Sequence, residues 1–233
     1  MENKKLYLIT LLLSLTGAIN MANAQTKVGI KAGVNFSNVI MHDENGNKIN
    51  TQSMPGILLG LTVDIPIISD FYIQPALQYS RKGYQQETGG FYGSATNFKV
   101  DVSYIEVPVN LLYKPHLGAG NLLLGAGPYI GYGTGGKWKS DTDAAIGDMI
   151  IGNKGDVIFR NDAMDGGDLN SYSYGKPLDY GLNFLAGYEF FGRLSIQLGI
   201  QLGLANLEPE IDGIKREGKL KNAGFGISLG YKL

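Results

Sequence analysis

The residues that could do chemistry in this chain are few, and they fall into three groups. The first is its two histidines. His42 is followed by Asp43 and Glu44 in a polar stretch, and His116 follows Pro115 in a short turn. Hydrolysis would need a histidine with an acid and a nucleophile or water within reach. His42 with Asp43 could in principle begin such a set, but no convincing Ser or Asp constellation on a strand flanks either histidine. With no cysteine in the chain, thiol nucleophiles and disulfides are excluded. Solvated loop histidines, no catalytic residue and no enzymatic activity are therefore expected.

The second group is Asp141, Asp143, Asp148, Asp156, Asp162, Asp165 and Asp168, with DAMDGGDLN spacing three acids three residues apart. Oxygen-rich glycine loops can hold calcium. Asp and Gly are also ordinary turn formers, and the spacing is not that of an EF-hand. The expectation is no metal and no cofactor, with calcium kept as the alternative. The third group is Lys31, Asp64, Glu106, Glu189 and Arg193, joined by Gln74, Gln78, Asn110, Asn183, Gln197 and Gln201. These recur at every second position within apolar runs. Three acids and two bases on one inward face would have to pair with each other.

What places that third group is clearest in 193–204, RLSIQLGIQLGL. Leu194, Ile196, Leu198, Ile200, Leu202 and Leu204 share one parity, and polar residues or glycines hold the other. Successive side chains of a strand point to opposite faces, so one face is aliphatic throughout. The pattern recurs over 27–37, 54–65, 71–83, 98–113, 120–133, 179–190 and 221–233, which makes eight predicted strands. Pro75 falls inside the third, where it removes a ladder donor. By these boundaries the connections measure about 16, 5, 14, 6, 45, 2 and 16 residues, long and short in alternation. Outer-membrane barrels have an even strand count, short periplasmic turns and long outer loops. Aromatic residues fall near the strand ends. Phe36, Tyr79, Tyr132 and Tyr180 lie toward the loops, and Phe71, Tyr113, Phe190 and Tyr231 toward the turns, as two interfacial girdles would require.

The N-terminus and the composition agree. Lys4 and Lys5 precede the apolar run 6–15, and Ala22 and Ala24 stand at −3 and −1 of a signal-peptidase site, so 1–24 is read as an export signal cut after Ala24. The remaining 25–233 suits one domain. No later apolar run approaches the ~18 residues of a membrane helix, so a membrane location would require a closed barrel. A formal net charge of −1 gives no basic excess for nucleic acid. The interruption 134–178 contains apolar patches at 144–151 and 157–159 that suggest a β-hairpin extension or a lid, and a segment of that length inside a domain is usually functional or disordered.

Five motifs in order, GIKAGVNFSN, SYIEVPVNLLYKP, GAGPYIGYG, DYGLNFLAGYEF and the closing GISLGYKL, resemble the small outer-membrane β-barrel family of Bacteroidota, often labelled PorT-like. The resemblance covers essentially all of 25–233. It implies an integral outer-membrane barrel, with some members tied to secretion or gliding machinery, and it carries over no active-site residue. Such barrels often end in Phe, whereas this chain ends in Leu233. The closing apolar alternation remains, so recognition by the barrel-assembly machinery is still expected.

The fold expected is thus all-β, an eight-stranded antiparallel up-and-down transmembrane β-barrel. The task expected is a structural envelope component or a scaffold whose outer loops, chiefly 134–178, bind a protein partner or surface ligand. Outer-membrane lipid surrounds it. A small passive pore is one alternative. A soluble lipocalin-like barrel is another, and it requires the Leu/Ile parity to face inward around a ligand.

Overall fold

Strand-forming alternation recurs along the chain, and in the computed structural model most of the described residues are strand. The structure describes residues 26–90, 94–166, 168 and 170–233. The predicted export signal 1–24 lies outside them. The strands, in chain order, are β1 (Lys27–His42), β2 (Lys48–Ile49), β3 (Gln52–Ile68), β4 (Phe71–Gly89), β5 (Ala95–Tyr113), β6 (His116–Leu117), β7 (Gly120–Ile146), β8 (Met149–Phe159), β9 (Tyr172–Gly175), β10 (Leu178–Phe190), β11 (Leu194–Gly203) and β12 (Lys219–Lys232).

Eight of these close a ring. The order is β1, β3, β4, β5, β7, β10, β11 and β12, and β12 pairs back onto β1. Each neighbouring pair is antiparallel. First and last strands are zipped from Gly29↔Lys232 to His42↔Lys219, so the ring has no free edge for another chain to pair with. These eight are the eight predicted strands. Around Pro75 the β3–β4 ladder passes from Thr62↔Ala76 to Ile65↔Ile73, which accommodates the missing donor.

The aliphatic parity faces outward. Leu61 is 54% exposed, Leu198 58% and Leu229 57%, while Asp64, Glu106 and Glu189 are almost fully buried. This is the reverse of a water-soluble barrel, and it leaves the lipocalin-like alternative without an aliphatic interior to hold a ligand. The expected aromatic residues also face outward. Phe36 stacks on Phe225 with ring centroids 5.2 Å apart, and Phe71 stacks on Tyr113 at 4.8 Å.

At the loop end the strands outrun their predicted limits. β1 continues to His42, β4 to Gly89 and β7 to Ile146. There the outer face becomes polar and the inner face apolar, so the aliphatic-outside pattern stops while the ladder continues. Residues 134–178 are largely ordered strand. β7 turns at 147–148 and returns as β8, and β9 lies parallel to β8. The predicted hairpin extension is therefore present. Its inner side is a core of its own, with Tyr84, Phe98, Val100, Trp138, Val157, Tyr174 and Leu207 all buried. Phe98 packs on Trp138 at 5.5 Å and on Tyr172 at 4.9 Å.

Two inward glycines show how tightly the ring is drawn. A Cβ at Gly127 would lie within van der Waals overlap of the Val109 carbonyl oxygen, whereas a Cβ at Gly199 would meet nothing closer than the Phe184 carbonyl at 3.9 Å. Gly127→Ala should lower stability by about 1–3 kcal/mol, as overpacking does, and Gly199→Ala should be nearly neutral. Urea unfolding in detergent micelles, followed by far-UV circular dichroism, checks the contrast.

Candidate functional site

The ring's interior gathers charges from strands far apart in sequence. Near the short turns Asp64 of β3 accepts hydrogen bonds from Lys232 Nζ at 2.6 Å, Lys114 Nζ at 3.0 Å and Gln74 Nε2 at 2.7 Å. Lys114 also reaches Glu189 at 2.8 Å, and Asn121 donates to the same carboxylate at 3.4 Å. Higher up, Lys82 lies 2.5 Å from Glu106 and 3.5 Å from Asp179. Gln78 donates to Glu106 at 2.6 Å, while Tyr129 and Asn222 donate to Asp179 at 3.1 and 2.8 Å. The Lys82 ammonium also sits 4.8 Å from the Tyr104 ring centroid.

This network corrects part of the sequence expectation. Asp64, Glu106 and Glu189 face inward as expected, but Arg193 does not. Phe191 and Gly192 both have positive φ, 50° and 67°, and they carry Arg193 into an exposed turn before β11 begins. The bases that pair with the acids are Lys82, Lys114 and Lys232, and a fourth acid is Asp179. All four were legible by parity. Lys82 follows Gln78 and Ser80, Lys114 follows Asn110 and Leu112, Asp179 precedes Asn183 and Glu189, and Lys232 follows Ser228 and Gly230. They were missed because each sits at or beyond the edge of its apolar run.

Lys31 makes no ion pair among the described residues. It lines a cavity of about 90 Å³ with Gln78, Asn110, Asn183, Gln197 and Gln201. Glycines at 199, 224 and 226 form part of its wall, and their missing side chains leave the space. Counted with Lys31, four interior acids, Asp64, Glu106, Asp179 and Glu189, share the interior with four lysines among the described residues.

The histidines are not brought into any constellation. Asp43 accepts from the backbone N–H groups of Asn45 and Asn47 at 2.9 and 2.8 Å and from Asn47 Nδ2 at 3.0 Å. Glu44 pairs with Arg216 at 2.8 Å. Both acidic neighbours of His42 are thus engaged away from it, and His116 lies exposed in β6. Three of the loop aspartates likewise have local work. Asp156 pairs with Lys137, and Asp141 accepts from Asn97 at 2.6 Å. Asp162 accepts from the backbone N–H groups of Met164 at 2.9 Å, Gly213 at 2.7 Å and Asp212 at 3.3 Å, which staples the extension to the 204–218 connection. Among the described residues no three His, Cys, Asp or Glu side chains converge as metal ligands. Residues 167 and 169 of the DAMDGGDLN run lie outside the described residues.

Burial separates these pairs in energy. Lys137 and Asp156 are both largely exposed, so their pair is worth about 0–1 kcal/mol. Removing one partner of a buried pair costs about 3–5 kcal/mol, because the other charge stays behind unpaired. Lys114→Met, which strands Glu189 in the interior, should therefore cost several times more than Lys137→Met in urea unfolding. Asp162 supplies a pH prediction. The N–H groups of Met164, Gly213 and Asp212 hold its carboxyl below the ordinary value of 3.8. A lowered carboxyl pKa stabilises the folded form above 3.8 and loses that contribution as pH falls through the folded value. Hydrogen exchange at Met164 and Gly213, corrected for intrinsic rate, should accelerate in that acid window, and already at neutral pH in Asp162→Ala.

Among solved structures, the outer membrane protein OprG from Pseudomonas aeruginosa has 14% identity and a TM-score of 0.47, covering 89% of this chain and 95% of that one. Ail, the attachment invasion locus protein of Yersinia pestis, has 14% identity and a TM-score of 0.42 in its crystal with the heparin analogue sucrose octasulfate, and 13% and 0.41 in a second crystal, with 90% of this chain and 100% of that one covered in each. The outer membrane protease OmpT from Escherichia coli has 11% identity and a TM-score of 0.40, with 89% and 96% covered. At these levels they lend this chain no property of their own. No curated protein sequence matches. The family profile described as outer membrane protein beta-barrel domain matches residues 22–208. The chain belongs to that family of outer-membrane β-barrels.

Proposed function

We propose that this protein is a non-enzymatic, transmembrane eight-stranded barrel that serves the cell envelope as a scaffold, with its lumen closed and its binding done by the outer extension. The carrying observation is a wall of outward aliphatic side chains around a buried, paired charge network. Water would penalise the wall and hydrocarbon would not. The height fits as well. Tyr180 and Phe190 stand ten residues apart on β10. That is about 33 Å of strand, or roughly 25 Å along the axis at a tilt of about 40°, close to the apolar band of outer-membrane barrels.

In this reading 1–24 directs export and is removed after Ala24. The short connections 69–70, 114–119 and 191–193 lie on the periplasmic side, and the long ones face outward. The barrel-assembly machinery inserts the chain, and the 134–178 extension meets an envelope or extracellular partner. Membership in the PorT-like group of Bacteroidota rests on the ordered motifs given above. The interior supports a plug over a pore, since Lys82, Glu106 and Asp179 are nearly fully buried across the lumen.

Fractionation tests the location. The protein should remain with outer membranes after a carbonate wash and migrate differently on gels with and without boiling. Recovery in the soluble fraction would end the reading. In planar bilayers the purified protein and Glu106→Ala should both lack large conductance steps, although the variant should unfold at lower urea. Large steps from either would replace the scaffold with a pore.

A further inference from the structure

Beyond the apolar band, the outer faces of β5, β7 and β8 form one polar sheet surface. Its lower row alternates in sign. Asp101 lies opposite Lys137, and Lys137 lies opposite Asp156. Arg81 pairs with Asp101 and Lys137 with Asp156. The next row, two residues further out, does not alternate. Lys99 lies directly opposite Lys139, and Lys139 lies directly opposite Lys154. The side chain of none of the three makes an ion pair or hydrogen bond among the described residues, and Lys139 and Lys154 are exposed. Like charges directly opposite one another weaken a sheet. The chain has acids one row away, yet it places two such oppositions side by side.

We propose that Lys99, Lys139 and Lys154 form a binding row for an anionic glycan, a polymer carrying repeated sulfate, carboxylate or phosphate groups. Three ammonium groups on strands about 4.8 Å apart present a line of positive charge that a chain of regularly spaced anions complements. Gln85, opposite Lys99, prolongs the row with an amide suited to sugar hydroxyls, while Asn97 in the next row out accepts from Gln85 at 2.8 Å and donates to Asp141 at 2.6 Å. Height argues against the membrane's own phosphates. Ile105 and Tyr132 are paired at the top of the aliphatic band. Lys99 lies six residues beyond Ile105 on β5, about 20 Å of strand or roughly 15 Å along the axis at the same tilt. The proposal deepens the scaffold reading above and rests on it for placing this face outside the cell.

The test uses the full mature protein in detergent micelles, titrated with a short dextran sulfate and with neutral dextran as control. Wild type should bind the sulfated polymer only, with affinity falling as salt rises. The triple variant Lys99→Gln/Lys139→Gln/Lys154→Gln should bind about tenfold or more weakly and with a shallower salt dependence. The charge-balanced control Lys137→Gln/Asp156→Asn should bind as wild type does. Relief of repulsion should leave the triple variant's thermal midpoint at or above that of wild type. Equal binding by wild type and the triple variant, or equal affinity for both dextrans, would overturn the proposal. So would a lowered midpoint, which would make the lysines structural. A variant altered only in retention on phosphatidylglycerol vesicles would point to lipid and overturn it too. Because binding is read in micelles, its failure leaves the fractionation result standing, and a soluble protein would be seen in fractionation alone.

Discussion

Asp64 is 1% exposed and is held by two lysines that lie about 50 and 168 residues further along the chain. A carboxylate taken out of water is tolerated only when its partners are fixed around it. Those partners are fixed here by ring closure. Lys232 arrives on the last strand, Lys114 at the end of β5 and Glu189 near the end of β10. The charge cluster and the closed hydrogen-bond ladder therefore require one another. Without closure the ions lose their partners, and without the ions the lumen would hold unpaired charge or empty space.

The rest follows from having two solvents outside and one interior within. In the lipid-height zone the outer face is aliphatic, so the chain puts its polar residues inside and pairs them. In the extension the outer face meets water, so apolar side chains move inside and the ladder continues on a different code. The change happens within single strands. β5 carries Ile105, Val107 and Val109 outward in its second half and buries Phe98, Val100 and Val102 in its first. A one-residue irregularity on β7 at the Ser103/Tyr104 level, beside Gly135 with φ 135°, marks the change of zone. β-bulges commonly re-aim side chains in this way.

That change also sets what could be seen in the sequence. Strict alternation of aliphatic with polar residues made the eight strands and their inward face legible, because that pattern is the lipid boundary written out. The strand ends were not legible, since beyond the boundary the same backbone carries the opposite pattern and reads as polar loop. Lys82 and Asp179 sit toward those loop ends, and Lys114 and Lys232 at the turn ends of their runs, so Asp64, Glu106 and Glu189 were placed correctly while the lysines that pair with them were not. Arg193 has the opposite history. Its parity was right, but a turn with two positive-φ residues removed it from the strand. The Lys99, Lys139 and Lys154 row depends on register between strands, and register is invisible until the hairpin is folded.

One consequence of the extension's core concerns light. Trp138 is the only tryptophan in the chain. It is 1% exposed, packed on Phe98 and donating from its indole nitrogen to the Asn170 carbonyl at 2.8 Å. Ultraviolet emission excited at the red edge of protein absorption will therefore come from the extension alone, while the tyrosines of the wall remain silent. The molecule thus carries a built-in optical label that separates motion of the outer domain from melting of the wall beneath it.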